Sequence, residues 1–85
     1  MFELKDDVLY VTLPECKTQA ELIEAAKTKI RTLIASGALY GKNLKLNGRI
    51  TTGMALLLGH ELAHICKSVS IFDPKEAGYV ICITH

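Results

Sequence analysis

Residues 44–72 read LKLNGRITTGMALLLGHELAHICKSVSIF, and this stretch decides the fold. LKL, at 44–46, is short, apolar and β-prone. Asn47-Gly48-Arg49 interrupts it, and Thr51 or Thr52 supplies a side-chain oxygen to cap a helix. The spacing predicts that helix over about 52–67. Met54, Ala55, Leu56, Leu57 and Leu58 make its start apolar almost all round, which implies burial on more than one side. VSIF, at 69–72, is again a strand. A strand, a helix and a second strand within this length form a βαβ unit, and such crossovers are parallel and right-handed.

Working outward, residues 1–4 (MFEL) and 8–13 (VLYVTL) are β-prone runs around Lys5-Asp6-Asp7, which predicts a hairpin, with Pro14 ending the second strand. Thr18 and Glu21 spell the T-x-x-E capping box of a helix. Its apolar positions Leu22, Ile23, Ala26, Ile30, Leu33 and Ile34 recur at helical spacing, and Gly37 is its stop. Beyond residue 72, Asp73-Pro74-Lys75-Glu76-Ala77-Gly78 is a turn and YVICIT (79–84) its returning strand. The predicted order is ββαβαββ: a single α/β domain over residues 1–85, a mixed sheet flanked by two helices.

Composition narrows the function. The chain has 85 residues, 49% of them hydrophobic, and a net charge of +1 from ten basic and nine acidic side chains. A chain this short buries little more than about 60% of its unfolded surface, so so many apolar residues suggest that some lie in a dimer interface. The near-neutral balance is no footprint for duplex DNA, which demands many phosphate contacts, yet it leaves room for a small anion. Cys16, Cys66 and Cys82 show no C-x-x-C spacing, so neither a disulfide framework nor a zinc ribbon is expected. Cys66 and Cys82 read as small buried hydrophobes. MFELKDD lacks a basic leader and an apolar h-region, and the run MALLL is too short to span a bilayer, so the expectation is a cytoplasmic protein without membrane contact.

Three features carry chemistry. His60, Glu61 and His64 spell H-E-x-x-H, the zinc-peptidase helix signature, in which the histidines hold the metal and the glutamate activates water. Such a peptidase also needs a third ligand and a deep substrate cleft, which nothing downstream supplies. Asn47-Gly48-Arg49 follows a parallel strand, where a helix N-terminus offers amide groups to anions and an arginine is a fork for phosphate oxygens. The plainer alternative is a turn glycine beside a solvated arginine. Asp73, after the next strand, is either a turn initiator or a metal ligand or acid–base group. Two imidazoles and a carboxylate, from His64, Asp73 and His85, suit Mn²⁺, Fe²⁺ or Zn²⁺ if they converge within one subunit or across a dimer cleft.

Taken together, KLNGR, LLLGHELAH and SIFDPKEAGYVICITH resemble the CRISPR-associated ring nuclease three family (the Csx-three group) of type III CRISPR loci. The likeness covers residues 43–85 by motif and the ββα start by layout. It implies a CARF-like, truncated Rossmann-like domain. It also implies a homodimer, or a tetramer around the ligand, that binds cyclic tetra-adenylate and cleaves it with Mn²⁺. Removal of adenylates from single-stranded RNA 3′ ends is a further implied activity. By position in the motifs, His64, Asp73 and Lys75 are the implied catalytic residues. Asn47, Gly48, Arg49, Thr51, Thr52 and His60 are the substrate-binding set, and His64, Asp73 and His85 the metal ligands. Ile50-Thr51-Thr52-Gly53 departs from the Gly-Pro-aromatic run of the family pattern, and Lys75 stands where that pattern has arginine. Glu61, one position from the histidine seam, is expected to be exposed or at an interface. Two other functions compete: a non-catalytic sensor of the cyclic oligoadenylate, and a peptidase-like metalloprotein.

Overall fold

The computed structural model describes residues 1–15 and 18–84. Two strands, β1 (Phe2–Lys5) and β2 (Val8–Val11), precede helix α1 (Gln19–Ala35). Strand β3 (Asn43–Gly48), helix α2 (Thr52–Leu62), β4 (Ser68–Asp73) and β5 (Gly78–Thr84) follow. The five strands lie in one sheet in chain order. The central pairs β2–β3 and β3–β4 are parallel, and the outer pairs β1–β2 and β4–β5 are antiparallel hairpins. This is the ββαβαββ, mixed-sheet, small Rossmann-like layout expected from the sequence.

Both helices cover the same face, because two right-handed crossovers between successive strands pass on the same side. Leu9, Val11, Leu44, Leu46 and Val69 point into one buried cluster with Leu22, Ala26 and Ile30 of α1 and Met54, Leu58 and Leu62 of α2. Buried residues recur every second position along β2 and β3 and every fourth along the helices, as each geometry requires, while Ser68, Val69 and Ser70 of β4 are buried on both faces. The opposite face of the sheet carries no helix. There, Tyr79 of β5 meets Phe72 of β4 edge to face at 5.5 Å, and the Lys45 ammonium lies 5.5 Å from the Tyr79 ring centre.

The helix boundaries have identifiable causes. At α1, Thr18 Oγ1 accepts the Glu21 amide at 3.1 Å, and Gly37 at φ 81° lets its own amide turn back to the Ile34 carbonyl. At α2, Thr51 is the cap and its Oγ1 accepts the Met54 amide at 3.2 Å. Helix α2 ends at Leu62, short of the expected residue 67. Eleven residues rise about 16 Å, close to the span of the six-residue strands beneath, and the chain then has to turn. Residues 63–67 make that turn against the loop before β3: Gly41 donates to the Ile65 carbonyl at 2.7 Å and Lys67 to the Lys42 carbonyl at 2.8 Å. Strand β2 likewise stops at Val11, two residues earlier than expected.

Two burial expectations are corrected. Helix α2 buries one stripe only: Met54, Leu58 and Leu62 are inaccessible, whereas Ala55 is exposed and Leu56 is 75% exposed. Among the described residues, nothing covers Leu56 on its outer apolar side. Cys66 is buried as expected, but Cys82 is exposed, because a register shift opposite Val69 and Ser70 displaces it on an edge strand.

Gly48 is the tightest point of the sheet. It ends β3 at φ 116°, and a Cβ there would fall on the Val11 carbonyl of β2. Gly48→Ala is therefore expected to cost roughly 2 kcal/mol in urea unfolding through strain and collision together. Burial also pushes the Cys66 thiol above its ordinary 9.0. The unfolded chain then ionises first as pH rises, so this contribution is present below pH 9.0 and is lost as pH climbs through the folded value. Wild type is expected to lose more urea stability above that pH than Cys66→Val does.

Candidate functional site

The carboxyl ends of the parallel strands β2, β3 and β4 define one edge of the molecule, and both helices begin there. Gln19, the first residue of α1, and Thr51, the cap of α2, are tied by the Thr51 hydroxyl, which donates to Gln19 Oε1 at 2.9 Å. The helices approach closely: a Cβ on Gly53 would sit 2.7 Å from Gln19 Oε1 and 3.3 Å from Ile23 Cδ1. Sequence reading did not find Gln19, and no spacing rule would have, because its partner is 32 residues away.

Along this edge the structure gathers most of the residues expected to bind substrate. Gly48 brings the backbone round the end of β3, Arg49 is exposed immediately after it, and Thr52 is exposed in the first turn of α2. Asp73 closes β4 at the same edge. Its Oδ1 accepts the Lys75 amide at 2.9 Å, the side-chain turn that Asp favours before a reversal, and this fixes the carboxylate relative to the turn. The Lys75 ammonium is exposed in that turn. Neither the Arg49 guanidinium nor the Lys75 ammonium makes an ion pair or hydrogen bond among the described residues. Asn47 points to the other face of the sheet, where its Nδ2 donates to the Tyr79 hydroxyl at 2.9 Å. It therefore positions an aromatic ring instead of joining the loop.

The histidines lie elsewhere. His60 is exposed in the last turn of α2, and His64 is exposed in the turn that follows it, so both belong to the amino-end edge of the sheet. Asp73 and His64 leave opposite ends of β4, and five residue steps alone separate those ends by about 16 Å. His85 lies outside the described residues. Among the described residues, no three His, Cys, Asp or Glu side chains come together as a metal set. The expected convergence of His64 with Asp73 in one subunit is thus not present.

The H-E-x-x-H letters do not form the peptidase device either. His60 is helical and His64 is past the helix end, so the two are not held on consecutive turns. Of the two expectations for Glu61, exposure or an interface, exposure does not hold: its side chain is 14% accessible, and its Oε1 accepts Arg31 Nε of α1 at 2.6 Å. That carboxylate locks the two helices together. One further feature escaped sequence reading, an apolar cleft of about 340 Å³ between α2 and the β4–β5 hairpin, lined by Ile50, Ala55, Gly59, Ile71, Cys82 and Ile83. Its signal was the small residues Ala55 and Gly59 one turn apart on a helix otherwise rich in leucine.

No family model matches the chain. No curated protein matches it, and no solved structure does. No helix is long and apolar enough to cross a membrane among the described residues.

The Arg49 and Lys75 side chains make no hydrogen bond or ion pair among the described residues, so Arg49→Ala and Lys75→Ala are expected to leave stability within about 0.5 kcal/mol of wild type. Thr51→Val, which removes both the cap and the Gln19 bond, should cost about 1–2 kcal/mol in the same urea titration, with Thr51→Ser retaining most of it.

Proposed function

We propose that the chain is a ring nuclease that binds cyclic tetra-adenylate along the carboxyl-end edge and cleaves it at a site completed by a second copy. The observation that carries this reading is the pair of unpartnered cations, Arg49 and Lys75, on the edge where α2 begins and Asp73 ends β4. Cations on exposed side chains with no carboxylate to neutralise them, beside a helix N-terminus, are matched to phosphate oxygens. The motif resemblance supplies the identity of the ligand. A cyclic tetranucleotide repeats one phosphate four times, so repeated copies of a single edge suit it.

The proposed division of labour combines the motif resemblance with this geometry. Arg49 and Lys75 meet the phosphate and stabilise charge as it builds on the phosphorane. His64 exchanges a proton with the attacking or leaving oxygen. Because His64 and Asp73 lie at opposite edges of one protomer, the imidazole at a given edge has to come from another copy. The donor set fits a divalent ion such as Mn²⁺: Asp73 Oδ1 is engaged by the Lys75 amide, and Oδ2 remains as a hard oxygen ligand to be joined by an imidazole. When bound, the ion would polarise the scissile phosphate.

A second reading has a specific observation in its favour. The distance between His64 and Asp73 within a protomer suits a sensor that holds the cyclic oligoadenylate at the Arg49 edge without cutting it. RNA 3′ ends share the phosphate chemistry and are an alternative substrate of the same edge. The peptidase reading loses its general base, since Glu61 is committed to Arg31.

Incubation with cyclic tetra-adenylate, with and without Mn²⁺, tests the proposal. Linear products are expected from wild type. His64→Ala and Asp73→Asn should lower kcat by about a hundredfold or more, and Arg49→Ala should chiefly weaken binding. Tight binding with an intact ring throughout would establish the sensor instead, and no binding at all would overturn both readings.

A further inference from the structure

We infer that the cleft between α2 and the β4–β5 hairpin is a binding site for a medium-chain fatty acid, with the alkyl chain in the cleft and the carboxylate on Arg49. The cleft arises from the coverage of the sheet. Helix α2 buries Leu44, Leu46 and Val69 of β3 and β4. On the same side of β5, Val80 and Ile83, the partners of Ile71 and Val69, are only half-buried. Ala55 and Gly59 lie one turn apart on the flank of α2 that lines this gap, which encloses about 340 Å³. Packing does not demand a glycine at 59, because a Cβ there would meet only Ile83 Cδ1, at an ordinary 3.6 Å. Glycine weakens a helix relative to alanine, so what residue 59 contributes is room.

The walls select the body of the ligand. Leu46, Ile50, Ile71 and Ile83 are aliphatic, the Cys82 thiol is the one polar side chain of the lining, and no lining side chain is charged. An alkyl chain suits such walls. A purine or a sugar does not, because its buried nitrogens or hydroxyls would find no side-chain partner among them. A partner helix needs a groove several turns long, and two small residues on one turn do not make one. Volume sets the length: a methylene takes nearly the space of a water molecule in the liquid, so at ordinary packing density the cleft holds a chain of roughly eight carbons.

Arg49 selects the head group. It stands between Gly48 and Ile50, which both line the cleft. Its guanidinium is exposed and makes no ion pair or hydrogen bond among the described residues. A guanidinium holds a carboxylate by two parallel N–H···O bonds, so chain and head of an amphipathic anion are matched by adjoining parts of the molecule. Under the ring nuclease reading, the acid and the phosphodiester compete for Arg49. That consequence rests on the nuclease reading; the cleft itself does not.

Calorimetric titration of the full chain with sodium octanoate tests the inference. Saturable binding to one site per chain is expected below millimolar octanoate. Hexanoate should bind about tenfold more weakly, because two methylenes leave the cleft. Loss of the charged pair should likewise cost about tenfold, whether 1-octanol replaces octanoate or the protein is Arg49→Ala. Gly59→Leu and Ala55→Leu fill the cleft from two positions and should each abolish binding, with far-UV circular dichroism showing that the variants fold. In wild type, octanoate should slow the reaction of Cys82 with a thiol reagent. No saturation by millimolar octanoate overturns the site, as does equal affinity for hexanoate, undiminished binding by both folded leucine variants, or a Cys82 rate that ignores octanoate. Undiminished octanoate binding by Arg49→Ala overturns the placement of the head group. Adenosine monophosphate binding that Gly59→Leu removes would assign the cleft to a base and overturn the fatty acid. For the shared cation, octanoate should raise the KM for cyclic tetra-adenylate and leave kcat unchanged. Turnover indifferent to saturating octanoate overturns the competition and leaves the cleft. A wild type without turnover overturns the nuclease reading, and calorimetry alone then decides the cleft.

Discussion

Helix α2 is a strut cut to the length of the strands it covers, and the arrangement of the molecule follows from that fit. Met54, Leu58 and Leu62, one residue per turn, are inaccessible against Leu44, Leu46 and Val69. Fully burying a side chain of this size contributes about 1.5–3 kcal/mol each, so this one stripe is comparable with the net stability of a small domain. The stripe also fixes direction. A helix that returns the chain from the end of β3 to the start of β4 must begin at one edge of the sheet and finish at the other. Its cap, Thr51, therefore shares an edge with Arg49 and Asp73, while His60 and His64 are delivered to the opposite one. No rotamer change can bring His64 to Asp73 without unpacking the core.

The two ends of that strut differ electrostatically. At its start, the amides of the first turn of α2 lie on the same edge as the exposed Arg49 and Lys75 and the carboxylate of Asp73. At its finish the histidines sit exposed, on the opposite edge of the sheet. Under the proposed nuclease reading the phosphodiester would meet one edge while His64 is carried on the other, so that reading requires more than one copy at the site.

The sequence was legible where a local rule decides the outcome. Thr18, Gly37 and Thr51 bounded their helices as capping chemistry dictates, and the apolar, β-prone runs marked the strands. The parallel centre followed from the order of elements. It was not legible where two distant segments set the answer. The length of α2 is determined by β3 and β4 and by the docking of residues 63–67 on the 39–42 loop, not by the apolar letters that continue to Cys66. Glu61 found Arg31 thirty residues upstream. Cys82 looked like a core residue because its neighbours are apolar, but an edge strand has apolar residues only as deep as its coverage. The linear motif H-E-x-x-H put His60 and His64 on one helical face, whereas the helix ends between them.

Of the large apolar residues that the fold leaves exposed, Ile71, Phe72 and Ile81 lie on the β4–β5 hairpin, beside the exposed Cys82, while Leu56, Tyr10 and Tyr40 lie elsewhere. In a chain of 85 residues this matters more than it would in a large one, because little of the apolar surface can be hidden internally. Exposing such a strip on a monomer would favour uncontrolled strand addition, and β5 lacks the charges by which β1 resists it.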